Sequence, residues 1–169
     1  DDHFVVGTYT VANLGNLGQI RGGLSIIGGS SNSGDSLLVN DGALANSFSY
    51  IITDQHILND SEPHGVDRPE FAGVYFDNTL ENVRLDGTQG SNHFLVSASP
   101  TTKFFLNGNN PTPDNDSGDE VELVEQTDDG HEFQWIDEAM GEGLWTFSNG
   151  NQDVEFMDME SVVDPGSGG

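Results

Sequence analysis

Pairs of apolar residues two positions apart recur along this chain, and several of them are followed within a few residues by a glycine and a polar turn. They are Leu24/Ile26, Leu37/Val39, Val74/Phe76, Val83/Leu85, Phe94/Val96, Phe104/Leu106, Val121/Leu123, Trp145/Phe147 and Val154/Phe156. Side chains two apart in an extended strand point to the same face, so each pair reads as a short strand with one side buried. Helix is a poor competitor, because no window keeps a 3.6-residue apolar period over three turns. The acids agree: 18 Asp outnumber 11 Glu, beside 15 Asn and 22 Gly. Asp and Asn bond their own backbone in turns and Gly takes positive φ, so this is the chemistry of many short strands and turns. The fold class expected is all-β.

The segments between the pairs share one syntax. Leu24-Ser-Ile-Ile-Gly28 leads through Gly34-Asp35 to Leu37, and Val83-Arg-Leu85-Asp-Gly87 leads through Gly90-Ser-Asn92 to Phe94. Phe104-Phe-Leu106-Asn-Gly108 leads through Gly118-Asp119 to Val121, and Trp145-Thr-Phe147-Ser-Asn-Gly150 leads through Asp153 to Val154. A coil of two such strands takes about twenty residues, within the range of repeat proteins. The architecture expected is therefore a right-handed parallel β-helix or solenoid of short irregular coils, with an antiparallel β-sandwich as the alternative. Residues 1–162 read as one β-rich domain or repeat segment. An excursion spans about 54–72, an acidic insertion about 107–119, and 163–169 is a flexible linker. Glu132 to Glu142 fits a short helix or a broken strand equally. A start at Asp1-Asp2-His3 without Met, and a Gly/Ser-rich end, read as a piece of something longer.

Leu24-Ser-Ile-Ile-Gly28-Gly29, Gly34-Asp-Ser-Leu-Leu-Val-Asn-Asp41, Leu80-Glu-Asn-Val-Arg-Leu85, Leu144-Trp-Thr-Phe-Ser148 and Asp153-Val-Glu-Phe-Met-Asp-Met-Glu160 together resemble repeats of very large secreted or surface proteins of Planctomycetes. The resemblance covers about residues 20–162. It implies an extracellular or cell-surface protein, parallel β-helical coils and no specific activity. Calcium-binding β-roll nonapeptides are a weaker likeness: Gly90-Ser-Asn92-His-Phe94 carries Asn for Asp, and the other two copies are one residue short.

Charge narrows the partners. Four Lys and Arg against 29 Asp and Glu leave a net charge of −25. Such a chain cannot replace the counterions of a phosphate backbone, so nucleic acid is excluded as a partner. No apolar run is long enough to insert into a bilayer. The absence of cysteine removes disulfides, thiolate catalysis and thiolate metal sites.

The densest acidic patch is Asp114-Asn-Asp116-Ser-Gly118-Asp119, with Glu125 nearby. Hard cations take several carboxylate and carbonyl oxygens from a flexible loop, which makes Asp114, Asp116, Asp119 and Glu125 the candidate calcium ligands. Against an EF-hand spacing, Gly118 and Asp119 are interchanged, and a solvated acidic loop is the competing reading. The histidines (His3, His56, His64, His93, His131) lack the tight local spacing of zinc ligands. No Gly-x-Ser-x-Gly motif occurs, and a uronate lyase would want more cations than Arg21, Arg68, Arg84 and Lys103. No catalytic motif is found, and the chain is not expected to be an enzyme. Trp135, in the polar setting Gln134-Trp-Ile-Asp137, is the candidate for stacking on a sugar, with core or interface packing as the competing reading; Trp145 reads as core. Tyr50, Phe71, Tyr75 and Phe76 are further aromatics that could build a stacking face.

The function expected is a structural or adhesive solenoid segment of a large extracellular bacterial protein, steadied by cations and partnered by neighbouring domains or copies of itself. The alternative is a carbohydrate-binding module of a secreted enzyme.

Overall fold

The structure, a computed structural model, describes residues 2–7, 17, 20, 22–29, 34–60, 71–109, 118–124 and 130–165. These residues are all-β. In chain order the strands are β1 (His3–Val6), β2 (Leu24–Ile26), β3 (Ser36–Asn40), β4 (Phe48–Ile52), β5 (His56–Asp60), β6 (Val74–Phe76) and β7 (Asn82–Asp86). They continue with β8 (Asn92–Val96), β9 (Lys103–Asn107), β10 (Glu120–Leu123), β11 (His131–Asp137), β12 (Glu142–Phe147), β13 (Val154–Met157) and β14 (Ser161–Val163). Two open mixed sheets result, ordered β1-β3-β7-β9-β13-β12-β11 (sheet A) and β14-β10-β8-β4-β5-β6-β2 (sheet B).

The chain alternates between the sheets: β3, β7, β9 and β13 lie in A, and the strands that follow them, β4, β8, β10 and β14, lie in B. Along each of these series neighbours pair in parallel, as in Val83↔Phe104 and Phe94↔Val121. Among the described strands, antiparallel pairing is confined to two places, β5 beside β4 and β6, and β12 beside β13 and β11. The excursion expected from residue 54 therefore begins as strand β5. The ambiguous stretch 132–142 is a strand, a 3-10 turn at Glu138–Met140 capped by Asp137, and a second strand. Residues 61–70 of the expected excursion, 110–117 of the acidic insertion and 166–169 of the expected linker lie outside the described residues.

The apolar pairs face inward between the sheets. Both members are buried in each pair except Leu24/Ile26 and Trp145/Phe147, where Leu24 and Phe147 are half-buried. Each fully buried Leu, Val or Phe contributes about 1.5–3 kcal/mol of transfer free energy, so the core carries the fold. Two of the glycines that follow the pairs sit where neighbouring chain leaves no room for a side chain. A Cβ on Gly87 would lie 2.8 Å from the Phe94 ring, and one on Gly108 would collide with the Asp158 carbonyl.

The Gly-Asp turns have a structural role of their own, repeated once in each sheet. Before β3, the Asp2 N–H donates to Asp35 Oδ1 (2.7 Å), and the Asp35 N–H donates to Glu81 Oε2 (2.6 Å). The N–H groups of Glu81 and Asn82 return to the Asp35 carbonyl. Before β10, the Asn92 N–H donates to Asp119 Oδ1 (2.6 Å), the Asp119 N–H to Glu160 Oε2, and the N–H groups of Glu160 and Ser161 to the Asp119 carbonyl. One side-chain and backbone circuit thus joins three successive passages of the chain at each corner. Asp35 and Asp119 are 0% and 2% exposed, and each is held in place by a backbone N–H that donates to its Oδ1. At the far ends of the sheet A strands, Asn40 and Asn107 both donate side-chain N–H groups to the Asp86 carboxylate between them (3.2 and 3.3 Å).

Candidate functional site

Of the four residues expected to bind calcium, Asp119 is described; Asp114, Asp116 and Glu125 lie outside the described residues. Asp119 immediately precedes β10 with its carboxylate turned inward, accepting from the N–H and the side-chain amide of Asn92 (2.6 and 2.8 Å). Burial pushes its pKa up to about 7; the Asn92 hydrogen bonds pull the other way, and the carboxylates of Glu160 and Asp158 add to the rise. Among the described residues no group of three or more His, Asp or Glu side chains is arranged to hold a metal ion.

Trp135 is half-buried on β11, edge-on to Phe133 (5.2 Å) and Phe156 (5.9 Å). It walls a cleft of about 390 Å³ with Glu138, Met140, Asp158, Met159 and Glu160. The structure therefore brings the expected stacking residue and the expected ligand Asp119 to one end of the molecule, linked through Glu160. Trp145 and Tyr50 are fully buried, and Phe71 and Phe76 are buried; Tyr75 is exposed on β6.

A second cleft, of about 180 Å³, opens on the outer face of sheet A. Phe105 and Met157 line it with Ile136, and Arg84, Glu142 and Glu155 are its charged residues. Lys103 lies over the Phe105 ring (5.0 Å to the centroid) and pairs with Glu155, while Arg84 Nε donates to Asp86 (2.7 Å). The two described basic residues are thus committed to carboxylates of the same sheet.

The reading of local spacing missed one cluster. His93 on β8 is buried with Nε2 at 3.3 Å from Glu120 Oε1 and 3.4 Å from Glu122 Oε2, both on β10. The contact arises because β8 and β10 pair in parallel with His93 opposite Glu120. The trio ties one passage of the chain to the next. Its only trace in the sequence is alternation, His93 and Leu95 against Glu120 and Glu122, which acquires meaning once the register is known.

No helix among the described residues is long and apolar enough to cross a membrane. Compared with known proteins, the chain matches no family model, no curated protein and no solved structure.

Proposed function

We propose that this chain is a non-catalytic structural or adhesive segment of a large extracellular bacterial protein, its strands wound as the coils of a right-handed parallel β-solenoid. The reading rests on the resemblance of its repeats to those of very large surface proteins of Planctomycetes. The observation that carries it is the in-register stacking of successive passages, with the same Asp corner at Asp35 and Asp119. A repeated corner serves extension: each passage supplies the partners of the next, as in solenoids whose units contact only their neighbours. Calcium held by Asp114, Asp116 and Glu125, and by Asp119 once the ion displaces its proton, offsets part of the −25 charge.

An antibody raised against the 169-residue chain is expected to label intact cells of the source organism. Labelling that requires permeabilisation would remove the surface role. The second reading, a carbohydrate-binding module, is favoured by the Trp135 wall of the larger cleft, half-exposed beside acids that can accept from sugar hydroxyls.

A further inference from the structure

We infer that copies of this chain stack head to tail, each extending both sheets of the next. The inference rests on the stacked-coil reading and adds a partner, a direction and an interface to it.

Among the described residues, to which the strand counts here refer, the two sheets hold seven strands each but are slipped past one another. The passages β3/β4, β7/β8, β9/β10 and β13/β14 place A and B strands opposite each other. Beyond β13/β14, sheet A runs on through β12 and β11, while sheet B stops at β14. Beyond β3/β4, sheet A adds β1 alone, while sheet B adds β5, β6 and β2. Sheet A therefore overhangs by two strands at one end and sheet B by two at the other. A second copy placed with its β1 beside β11 and its β2 beside β14 fills both steps together, because the sheets have equal strand numbers.

Strand direction permits this. In each sheet a single strand is reversed, β12 in A and β5 in B; β11 runs with β13 and β1, and β2 runs with β4 and β14. All four edges would be joined by parallel pairs like those inside the molecule. Among the described residues β1, β2, β11 and β14 each have a strand on one side only, which leaves backbone donors and acceptors available for pairing.

The apolar surface is distributed in the same way. Of the large apolar side chains exposed among the described residues, Val5, Ile27, Ile136 and Val163 lie on or beside the edge strands β1, β2, β11 and β14, Tyr75 and Val124 stand one strand in, Met157 two strands in, and Met140 lies in the turn between β11 and β12. Ile27 is 69% and Ile136 59% exposed, while β3, β4, β7, β8 and β9 expose none. An interface that joins unlike ends is heterologous and does not close, so it builds filaments. With strands about 4.8 Å apart, seven of them give an axial repeat of about 34 Å. The charge of −25 opposes contact between copies, so stacking strengthens as salt screens it.

Sedimentation of the whole chain at low and high sodium chloride tests this, with two variants charged at opposite ends, Val5→Lys/Ile27→Lys and Ile136→Lys/Val163→Lys. Wild type is expected to grow in mass with concentration at high salt without a limiting size. Each variant alone is expected to stay monomeric, and an equal mixture to form dimers that grow no further. Dimers from the mixture also show that both variants are folded. Wild type that stays monomeric at every concentration and salt overturns the inference, as does either variant dimerising alone. Neither result bears on whether antibody reaches the chain on intact cells, so the surface role is tested separately.

Discussion

Asp119 is where one side chain has most influence on the whole. Its carboxyl is 2% exposed, and its pKa of about 7 means that the folded protein holds a proton there that the unfolded chain, near 3.8, has released. Between those values the native state binds more protons, so this residue makes stability fall as pH rises toward 7 and leaves it lowest above. The effect is on the order of a few kcal/mol. Asp119→Asn keeps an oxygen for the Asn92 donors and removes the charge. Urea unfolding should find the variant more stable than wild type at pH 8, with the gap closing toward pH 4. A pH-independent gap would mean that burial of the charge is not what perturbs this group. Local sequence gave the Gly-Asp turn but not its burial, because the Asn92 and Glu160 partners are 27 and 41 residues away. His93 was obscured for the same reason: its carboxylates belong to the next passage rather than to a neighbouring turn of chain.

At the scale of elements, the strands themselves were legible. Pairs such as Val83/Leu85 and Phe104/Leu106 show their face by alternation alone, and the glycines after them mark the close approaches. What alternation leaves out is which strand reverses. Nothing in His56–Asp60 distinguishes a strand antiparallel to β4 from one more parallel passage, and β12 is equally silent. The acidic segment between β9 and β10 carries the cation prediction. Binding to the folded form alone adds about 2.7 kcal/mol at one hundred times Kd. Millimolar calcium should therefore raise Tm more than sodium chloride of matched ionic strength. Asp114→Asn with Asp116→Asn should remove most of the difference and leave the fold intact. Equal shifts with the two salts would reduce the segment to a screened acidic loop.

For the whole molecule, the central claim is that successive passages stack as coils, which no single strand can reveal. Sheet A makes it measurable. Val5, Leu38, Arg84, Phe105, Glu155, Leu144 and Gln134 are register partners in turn, one from each strand across the sheet. Val5, Arg84 and Gln134 are exposed, and the chain has no cysteine to compete for a label. Spin labels on Val5→Cys/Gln134→Cys and on Arg84→Cys/Gln134→Cys, in dilute low-salt samples that keep copies apart, give the order by pulsed electron–electron distance. With strands about 4.8 Å apart, the stacked coils predict backbone separations of about 29 Å for the first pair and about 19 Å for the second. Two equal distances, or Val5 nearer to Gln134 than Arg84 is, would contradict the stacking.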